Sequence, residues 1–430
     1  MEKITTILKK IIPKSFLTAM LPSYHLLLST IGAVIYRLPA RKITVIGITG
    51  TKGKTSSAEI LNAIFEAGGK KTSLVGTLRI KIGEKTQRNM YKMTLPGRFF
   101  VQKFLRQSVN AGCDIAILEI SSEGARFHRH AFSFLNGLIF LNIAPEHIES
   151  HGGFENYLNA KLSIGKSLAK SPKENRIIVA NKEDVHSEDF FALDIPKKIP
   201  FSISEASNIK LNENGSDFIF QGKKIKTNLL GEFNIANIIA CAHMALAFGV
   251  SLNDIVKGVE SLKEIKGRGQ KITLPKENTL SKKQDFTVIV DYAHTPNSLE
   301  AIYKAFEHER KICILGNTGG GRDTWKRPEM GKIADTFCSK IILTNEDPYD
   351  EDPKKIVADV AKGIRIITPE IIMDRREAIS KAISSAKAGD VVIITGKGTD
   401  PFIMGSNGTK QPWDDATVAR EELEKVLGKR

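Results

Sequence analysis

No CxxC pair occurs in this sequence, and its four cysteines, Cys113, Cys241, Cys313 and Cys338, lie far apart, each inside an apolar run. That argues against a zinc site and against a disulfide framework; separate, buried, inert thiols in a reducing cytoplasm are the expectation. Arginine-rich runs, interleaved stacking aromatics and nucleic-acid motifs are missing as well. The formal net charge of +15, from 63 basic against 48 acidic side chains, therefore does not argue for nucleic acid, and an enzyme of anionic polyphosphates accounts for the same sign. There is no internal repeat and no low-complexity tract.

A long hydrophobic run is also lacking. Residues between Lys14 and Arg37 are uncharged, but Pro22 splits them, and a spanning helix needs roughly 20 apolar residues. No small-residue cleavage site follows, so neither a transmembrane segment nor a secretory signal is expected. Two readings of residues 1–42 stay open. One is a helix lying on an anionic leaflet between the basic flanks Lys9, Lys10, Lys14, Arg37, Arg41 and Lys42. The other is a hydrophobic helix packed on the domain that follows.

What is present reads as a multidomain α/β protein. At 430 residues the chain exceeds one ordinary core. Apolar, β-branched runs ("ITVIGI", "DIAILEI", "GLIFLNI", "RIIVAN") alternate with helical patterns over Ser56–Ala67, Arg98–Asn110 and Tyr157–Lys170, the signature of a parallel sheet. From about Phe201 to Leu229, Asn-Gly and Gln-Gly turns between short alternating runs predict a small β subdomain. A helix, "NIANIIACAHMALAFGV", follows and stops at Gly249. Near "KGRGQK" the pattern breaks, and a second, Rossmann-like α/β set begins with "FTVIVDY", "KICILGN", "KIILTNE" and "DVVIITGKG". The expected division is a leader over 1–42, a central P-loop domain over 43–267 and a C-terminal domain over 268–430.

Three stretches carry chemistry. In "ITVIGITGTKGKTSSAEIL" a strand runs into a glycine-rich loop and then a helix, yet the usual G-x-x-x-x-G-K-T spacing fails, because Ile48 stands where the first glycine belongs. The context still favours phosphate: backbone N–H groups at a helix start attract anionic oxygens, Lys54 reaches the terminal phosphates, and Thr55 or Ser56 offers a hydroxyl to Mg²⁺. "LEISSEGARFHRH" puts Glu119 at the end of an apolar strand, where a carboxylate needs a partner or a metal. "LNIAPEHIESHGGFENYLNAK" carries His147 and His151, then Lys161 within a helix. Taken singly, the histidines read as loop residues and the lysine as a surface cation.

In order, "TGTKGKT", "EISSE", "EHIESHGGFENYLNAK", "GEFNIANIIA", "KGRGQK", "DYAHTPNSL", "GGGRDTWKRPEMG", "NEDPYDEDP" and "GKGTDP" resemble the blocks of the Mur ligase family of ATP-dependent amide-forming synthetases. Within it the chain looks most like the UDP-N-acetylmuramoyl-tripeptide synthetases of peptidoglycan biosynthesis. The resemblance covers about residues 43 to 400. It implies that Gly50, Thr51, Lys52, Gly53, Lys54, Thr55 and Ser56 hold ATP, with Asn234 and Asn237 near the adenine and Arg268, Asp291 and His294 reaching the nucleotide from the domain junction. Thr55, Glu119, His147 and Lys161 would serve Mg²⁺, with Lys161 carbamylated by CO₂, and Lys54, His147 and Lys161 would be catalytic. Thr94, Ser121, Arg322, Asp347, Tyr349, Gly396 and Asp400 fall at substrate positions. The implied partners are an anionic peptidoglycan precursor and an amino acid, in a cytoplasmic monomer, without nucleic acid. A carboxylate would attack the γ-phosphate, and the amino acid's amine would then attack the acyl phosphate.

Some letters depart from the family pattern. Lys52 replaces an asparagine, and Glu123 stands where histidine is usual. Only some 42 residues precede the first strand, where UDP-substrate enzymes carry a whole domain, and the donor-contacting "TTP" survives as Thr94-Leu95-Pro96. A donor without UDP (polyglutamate, cyanophycin-like or lipid-linked) is therefore the alternative. Tyr349 occupies the arginine of the diaminopimelate-adding D-N-P-R, and the closing motif ends in Thr399-Asp400. The acids Glu346, Asp347, Asp350, Glu351 and Asp352 either favour an ammonium-tipped acceptor such as lysine or form a solvated loop. A membrane-associated nucleotide-binding scaffold without catalysis is disfavoured by the presence of Glu119, His147 and Lys161.

Overall fold

The computed structural model describes residues 14–91, 93–97, 99–146, 148–275 and 277–429. They form two compact units. The first runs to Ala144 and adds Glu155–Ser202 and Asn237–Gly258; the second holds Pro145–Phe154, Ile203–Ala236 and the chain from Val259 onward.

In the first unit, strands β1 (Thr44–Thr49), β2 (Thr72–Val75), β3 (Arg79–Ile82), β4 (Lys85–Arg88), β5 (Ile115–Glu119), β6 (Gly137–Phe140), β7 (Ile177–Asn181) and β8 (Lys197–Phe201) form one sheet in the order β4-β3-β2-β5-β1-β6-β7-β8. The run from β2 to β8 is parallel, and β3 and β4 extend it antiparallel. Central strands β5 and β6 are buried along their whole length, which is why they read as unbroken β-branched runs rather than alternating ones. The sequence does not predict strands β3 and β4, because "RIKIGEKTQR" is charged and short, as suits β4 at the sheet edge. Four helices matter below: α1 (Lys14–Ile35), α2 (Lys54–Ala67), α3 (Phe100–Asn110) and α4 (Phe154–Ala169). The inner face of α1 packs against the start of α3, where a Cβ on Gly32 would meet Phe99 and Gln102, and Ser29 donates to the carbonyl of His128. The packed-helix reading thus holds for one face of α1. No described helix is long and apolar enough to cross a membrane.

His130 in this unit is buried, with Nε2 at 3.0 Å from the Ser167 hydroxyl. Burial, with His128 nearby, pulls its pKa down to about 4. Between pH 6.5 and 4 the unfolded chain then binds a proton that the native one refuses, so stability falls as pH falls through that window. The interval corresponds to about 3 kcal/mol. Urea titrations from pH 8 to pH 4 are expected to show a smaller acid loss for His130→Gln than for wild type; parallel pH profiles would refute the assignment.

In the second unit, β9 (Ala206–Asn212), β10 (Gly215–Phe220) and β11 (Lys223–Thr227) form the antiparallel sheet that the turn signals predicted. The following helix, Glu232–Ala247, belongs to the first unit from Asn237 on and is succeeded by Gly249 in the left-handed region at φ +83°. A second sheet has the order β12-β13-β17-β14-β15-β16, with β12 (Gln270–Lys271), β13 (Thr287–Val290), β14 (Lys311–Leu315), β15 (Lys340–Leu343), β16 (Glu370–Ile371) and β17 (Val391–Ile394). All but β12 pair in parallel. Strand alternation splits its side chains into two cores. Ile312 and Ile314 face the helices Arg375–Ser385 and Asp415–Lys429, whereas Cys313 and Leu315 face Pro296–Lys304 and Lys326–Phe337.

That geometry corrects the cysteine expectation. Cys313 and Cys338 are joined in a disulfide, with their Cα atoms 6.1 Å apart. The β14–helix–β15 crossover returns the chain beside its starting strand, so residues 25 apart in sequence become neighbours. Cys113 and Cys241 are buried free thiols, as expected.

Candidate active site

The first cluster grows from the loop between β1 and α2. Gly53 sits at φ +82°, and a Cβ there would lie 2.6 Å from Asn237 Oδ1 and 3.1 Å from Leu141 Cδ1. Glycine is thus required both by conformation and by space. Asn142, just past β6, fastens the loop: its Oδ1 accepts from the backbone N–H of Thr51 (3.1 Å) and Lys52 (2.9 Å), and its Nδ2 donates to Lys52 O. Neither Asn142 nor Thr77, below, was singled out from the sequence. An asparagine closing "FLN" is the only trace of the first.

The loop carbonyls draw two cations together. Lys54 Nζ donates to Gly50 O (2.8 Å) and Thr51 O (2.9 Å), and Lys161 Nζ donates to the same Gly50 O at 2.8 Å. Lys161, only 1% exposed, comes from α4, where Tyr157 one turn earlier places its ring 4.8 Å from the ammonium. The Tyr157 hydroxyl lies 2.7 Å from Thr51 Oγ1. This is what the tyrosine-to-lysine spacing in "NYLNAK" accomplishes.

Beside the loop, a chain of oxygens ends the adjacent strand. Glu119, at the tip of β5 and 1% exposed, accepts from Thr55 Oγ1 (2.9 Å), Thr77 Oγ1 (3.0 Å) and Thr77 N (2.7 Å). Thr77 Oγ1 in turn lies 3.0 Å from Thr94 Oγ1. Three of the residues chosen from sequence, Thr55, Glu119 and Thr94, therefore belong to one network. A buried carboxylate flanked by hydroxyls is a hard-oxygen donor set, the chemistry that Mg²⁺ prefers. Ser121 caps the helix Ser122–Arg126 by accepting from Gly124 N. His147 lies outside the described residues.

The second unit carries its own cluster at the carboxyl ends of β13, β14, β15 and β17. Asp291 is held by N–H groups of Gly269 (2.6 Å) and Ala293 (2.7 Å). Arg268 stacks over Tyr292 at 4.3 Å, whose hydroxyl is pushed up to about 12 by burial and by Asp400, against the pull of Arg268. His294 faces Tyr292 O through Nδ1 and Glu146 Oε1, at 2.9 Å, through Nε2. Asn234 Nδ2 donates to Leu230 O.

Lys397 is nearly inaccessible and donates to both oxygens of Asp347, to Asp400 and to Phe402 O. Burial lowers its pKa, but Asp347 and Asp400 outweigh burial and hold the ammonium above its ordinary value. The acidic run is therefore a solvated loop only in part: Glu346 and Asp347 are buried, whereas Asp350 and Asp352 are exposed. Asp347 is committed to Lys397, Asp350 accepts from Asn407 N, Glu351 pairs with Arg327, and Asp352 caps the helix Pro353–Ala361. Glu346 differs. Its Oε1 accepts from Thr318 at 2.7 Å, while its Oε2 is buried without a partner against Gly396, which adopts φ +105°. Burial, with Asp347 adding to it against the pull of Arg375, raises the Glu346 carboxyl pKa. At the arginine position, Tyr349 has Arg322 over its ring at 5.6 Å, so a guanidinium approaches from a different loop.

Residues 48–245 match the Mur ligase middle domain, and residues 278–398 match the Mur ligase glutamate ligase domain. A diaminopimelate-adding UDP-N-acetylmuramoyl-L-alanyl-D-glutamate ligase of Halalkalibacterium halodurans is 32% identical over 407 residues, 92% of this chain and 81% of that one. The chain belongs to the Mur ligase family. A UDP-N-acetylmuramyl-tripeptide synthetase of Roseiflexus sp. is 32% identical over 429 residues, covering 94% of this Mur ligase and 82% of that protein. Among solved structures, a UDP-N-acetylmuramoyl-L-alanyl-D-glutamate–2,6-diaminopimelate ligase matches with TM-score 0.59 and 27% identity, over 89% of this chain and 78% of that one. The ADP complex of Mycobacterium tuberculosis folylpolyglutamate synthase shares the fold, with TM-score 0.69 at 17% identity over 95% of each chain. This Mur ligase is accordingly an ATP-dependent, amide-bond-forming enzyme.

Proposed function

We propose that this Mur ligase adds an amino acid to a UDP-N-acetylmuramoyl-peptide precursor in the cytoplasm, as a monomer, with a central ATP-binding domain over 43–267 and a C-terminal domain over 268–430. The observation that carries the proposal is the meeting of Lys54 and Lys161 at the Gly50 carbonyl beside the Thr55–Glu119 pair. Two ammonium groups on one carbonyl repel each other, and an arriving polyphosphate relieves that repulsion. So does loss of charge at Lys161: its neutral amine adds to CO₂, releases a proton and leaves a carbamate anion.

The donor carboxylate attacks the γ-phosphorus of ATP, ADP leaves, and an acyl phosphate remains. The acceptor's amine then attacks the acyl carbon, and phosphate departs from the tetrahedral intermediate. Lys54 and the N–H groups where the loop Gly50–Ser56 opens α2 neutralise the phosphates, which otherwise repel the incoming carboxylate. Thr55, Glu119, His147 and the Lys161 carbamate would hold Mg²⁺, which supplies further charge neutralisation when bound. Asn234, Asn237, Arg268, Asp291 and His294 serve the nucleoside, and Thr94 and Ser121 the donor. Arg322, Asp347, Tyr349, Gly396 and Asp400 shape the acceptor site, where Glu346 is the acid left to meet an ammonium group.

Phosphate release from ATP, measured with UDP-N-acetylmuramoyl-dipeptide and a panel of amino acids, is expected to require both substrates. No stimulation by that donor with any amino acid would overturn the UDP-linked reading and leave a ligase of another carboxylate.

A further inference from the structure

Helix α1 has two faces of different fate. Its inner face is taken up against α3, but Met20, Tyr24, Leu27, Ile31, Val34 and Ile35 are exposed, Val34 by 71%. At 100° per residue these six positions fall within a stripe about 100° wide that contains no charge, and Leu26, also exposed, lies about 80° beyond its edge. Met90, Tyr91 and Met93 are exposed too, and Tyr91 lies against Phe100 at the start of α3, the helix on which α1 rests. Apolar area of this extent is costly to leave in water.

Charge decides among occupants. From Lys3 to Ile43, the stretch that holds α1, the sequence has seven basic residues, Arg37, Arg41 and Lys42 among them, and no acidic one. A second copy docking face to face would set these cations against their own equivalents, since a twofold interface pairs a surface with itself. An anionic surface meets apolar stripe and basic flanks alike. The exposed part of α1, about 22 Å long at 1.5 Å per residue, suits a helix lying in the headgroup layer. We infer that the outer face of α1 docks this ligase on an anionic phospholipid bilayer. The inference is independent of which donor the active site accepts.

The test is co-flotation of the full chain with vesicles of phosphatidylcholine alone or mixed with phosphatidylglycerol, for wild type and for Leu27→Glu/Ile31→Glu. Wild type is expected to float with the anionic vesicles, less so in high salt, and the double variant to lose about tenfold in bound fraction with ATP binding unchanged. Equal flotation of the two proteins would overturn the inference, as would failure of wild type to bind anionic vesicles. A wild-type dimer that the variant converts to monomer would assign the face to a second copy. Binding that disappears on deleting residues 1–13 but survives the double variant would assign it to that segment.

Discussion

Lys161→Ala is expected to lower turnover about a thousandfold, equivalent to roughly 4 kcal/mol of transition-state stabilisation, with ATP affinity changed by no more than a few-fold. The ammonium is buried on the Gly50 carbonyl and over the Tyr157 ring, so truncation removes it from the loop without touching Asn142, which holds the loop's N–H groups in place. Binding and chemistry should separate. Isothermal titration with ATP reads the first, and single-turnover phosphate release the second. Lys161→Arg keeps a cation but cannot form the carbamate, and it should be as slow as the alanine variant. Depleting bicarbonate should slow wild type and leave both variants unaffected, and a small carboxylate should restore part of the Lys161→Ala rate. Normal turnover by Lys161→Ala would end the proposal for this residue.

The second large effect is expected at the phosphate loop. Gly53→Ala should weaken ATP binding at least a hundredfold, about 3 kcal/mol. Two costs add. A side chain at φ +82° costs about 1–2 kcal/mol in backbone strain, and the new Cβ would stand 2.6 Å from Asn237 Oδ1, forcing the loop away from the geometry that Asn142 sets. Gly69→Ala is the control for strain alone: it has φ +75° but nothing within 4 Å of its Cβ. That variant should lose stability without losing ATP affinity. Equal ATP affinity of Gly53→Ala and wild type by isothermal titration would show that the loop tolerates the shift.

Much of the architecture was readable because parallel strands covered on both faces leave long β-branched runs, as "DIAILEI" does for β5. Strands β3 and β4 were not, since β4 forms the sheet edge, which needs no apolar pattern, and β3 beside it is only four residues long and half charged. Among site residues, the glycine spacing around Lys54 marks a loop by contiguous letters alone, and the tyrosine four residues before Lys161 belongs to a legible motif. Asn142 and Thr77 act on the loop and on Glu119 through hydrogen bonds over about 90 and 42 residues of sequence, and nothing local to either letter announces that. The acidic run at 346–352 shows the same limit. Five similar carboxylates in sequence have different fates, because Lys397, Arg327, the N–H of Asn407 and a helix start claim four of them.

By itself the sequence determined the buried parallel strands and their helices, the α/β class, the family and the glycine-rich loop proposed to face phosphate, since each rests on periodicity or on contiguous letters. Only the tertiary structure decided that Cys313 bonds Cys338, that Lys54 and Lys161 share one carbonyl, that Glu346 buries one oxygen without a hydrogen-bond partner, and that α1 buries one face and exposes the other. Each of these is a meeting of residues distant in sequence, fixed by packing and strand order rather than by any local preference.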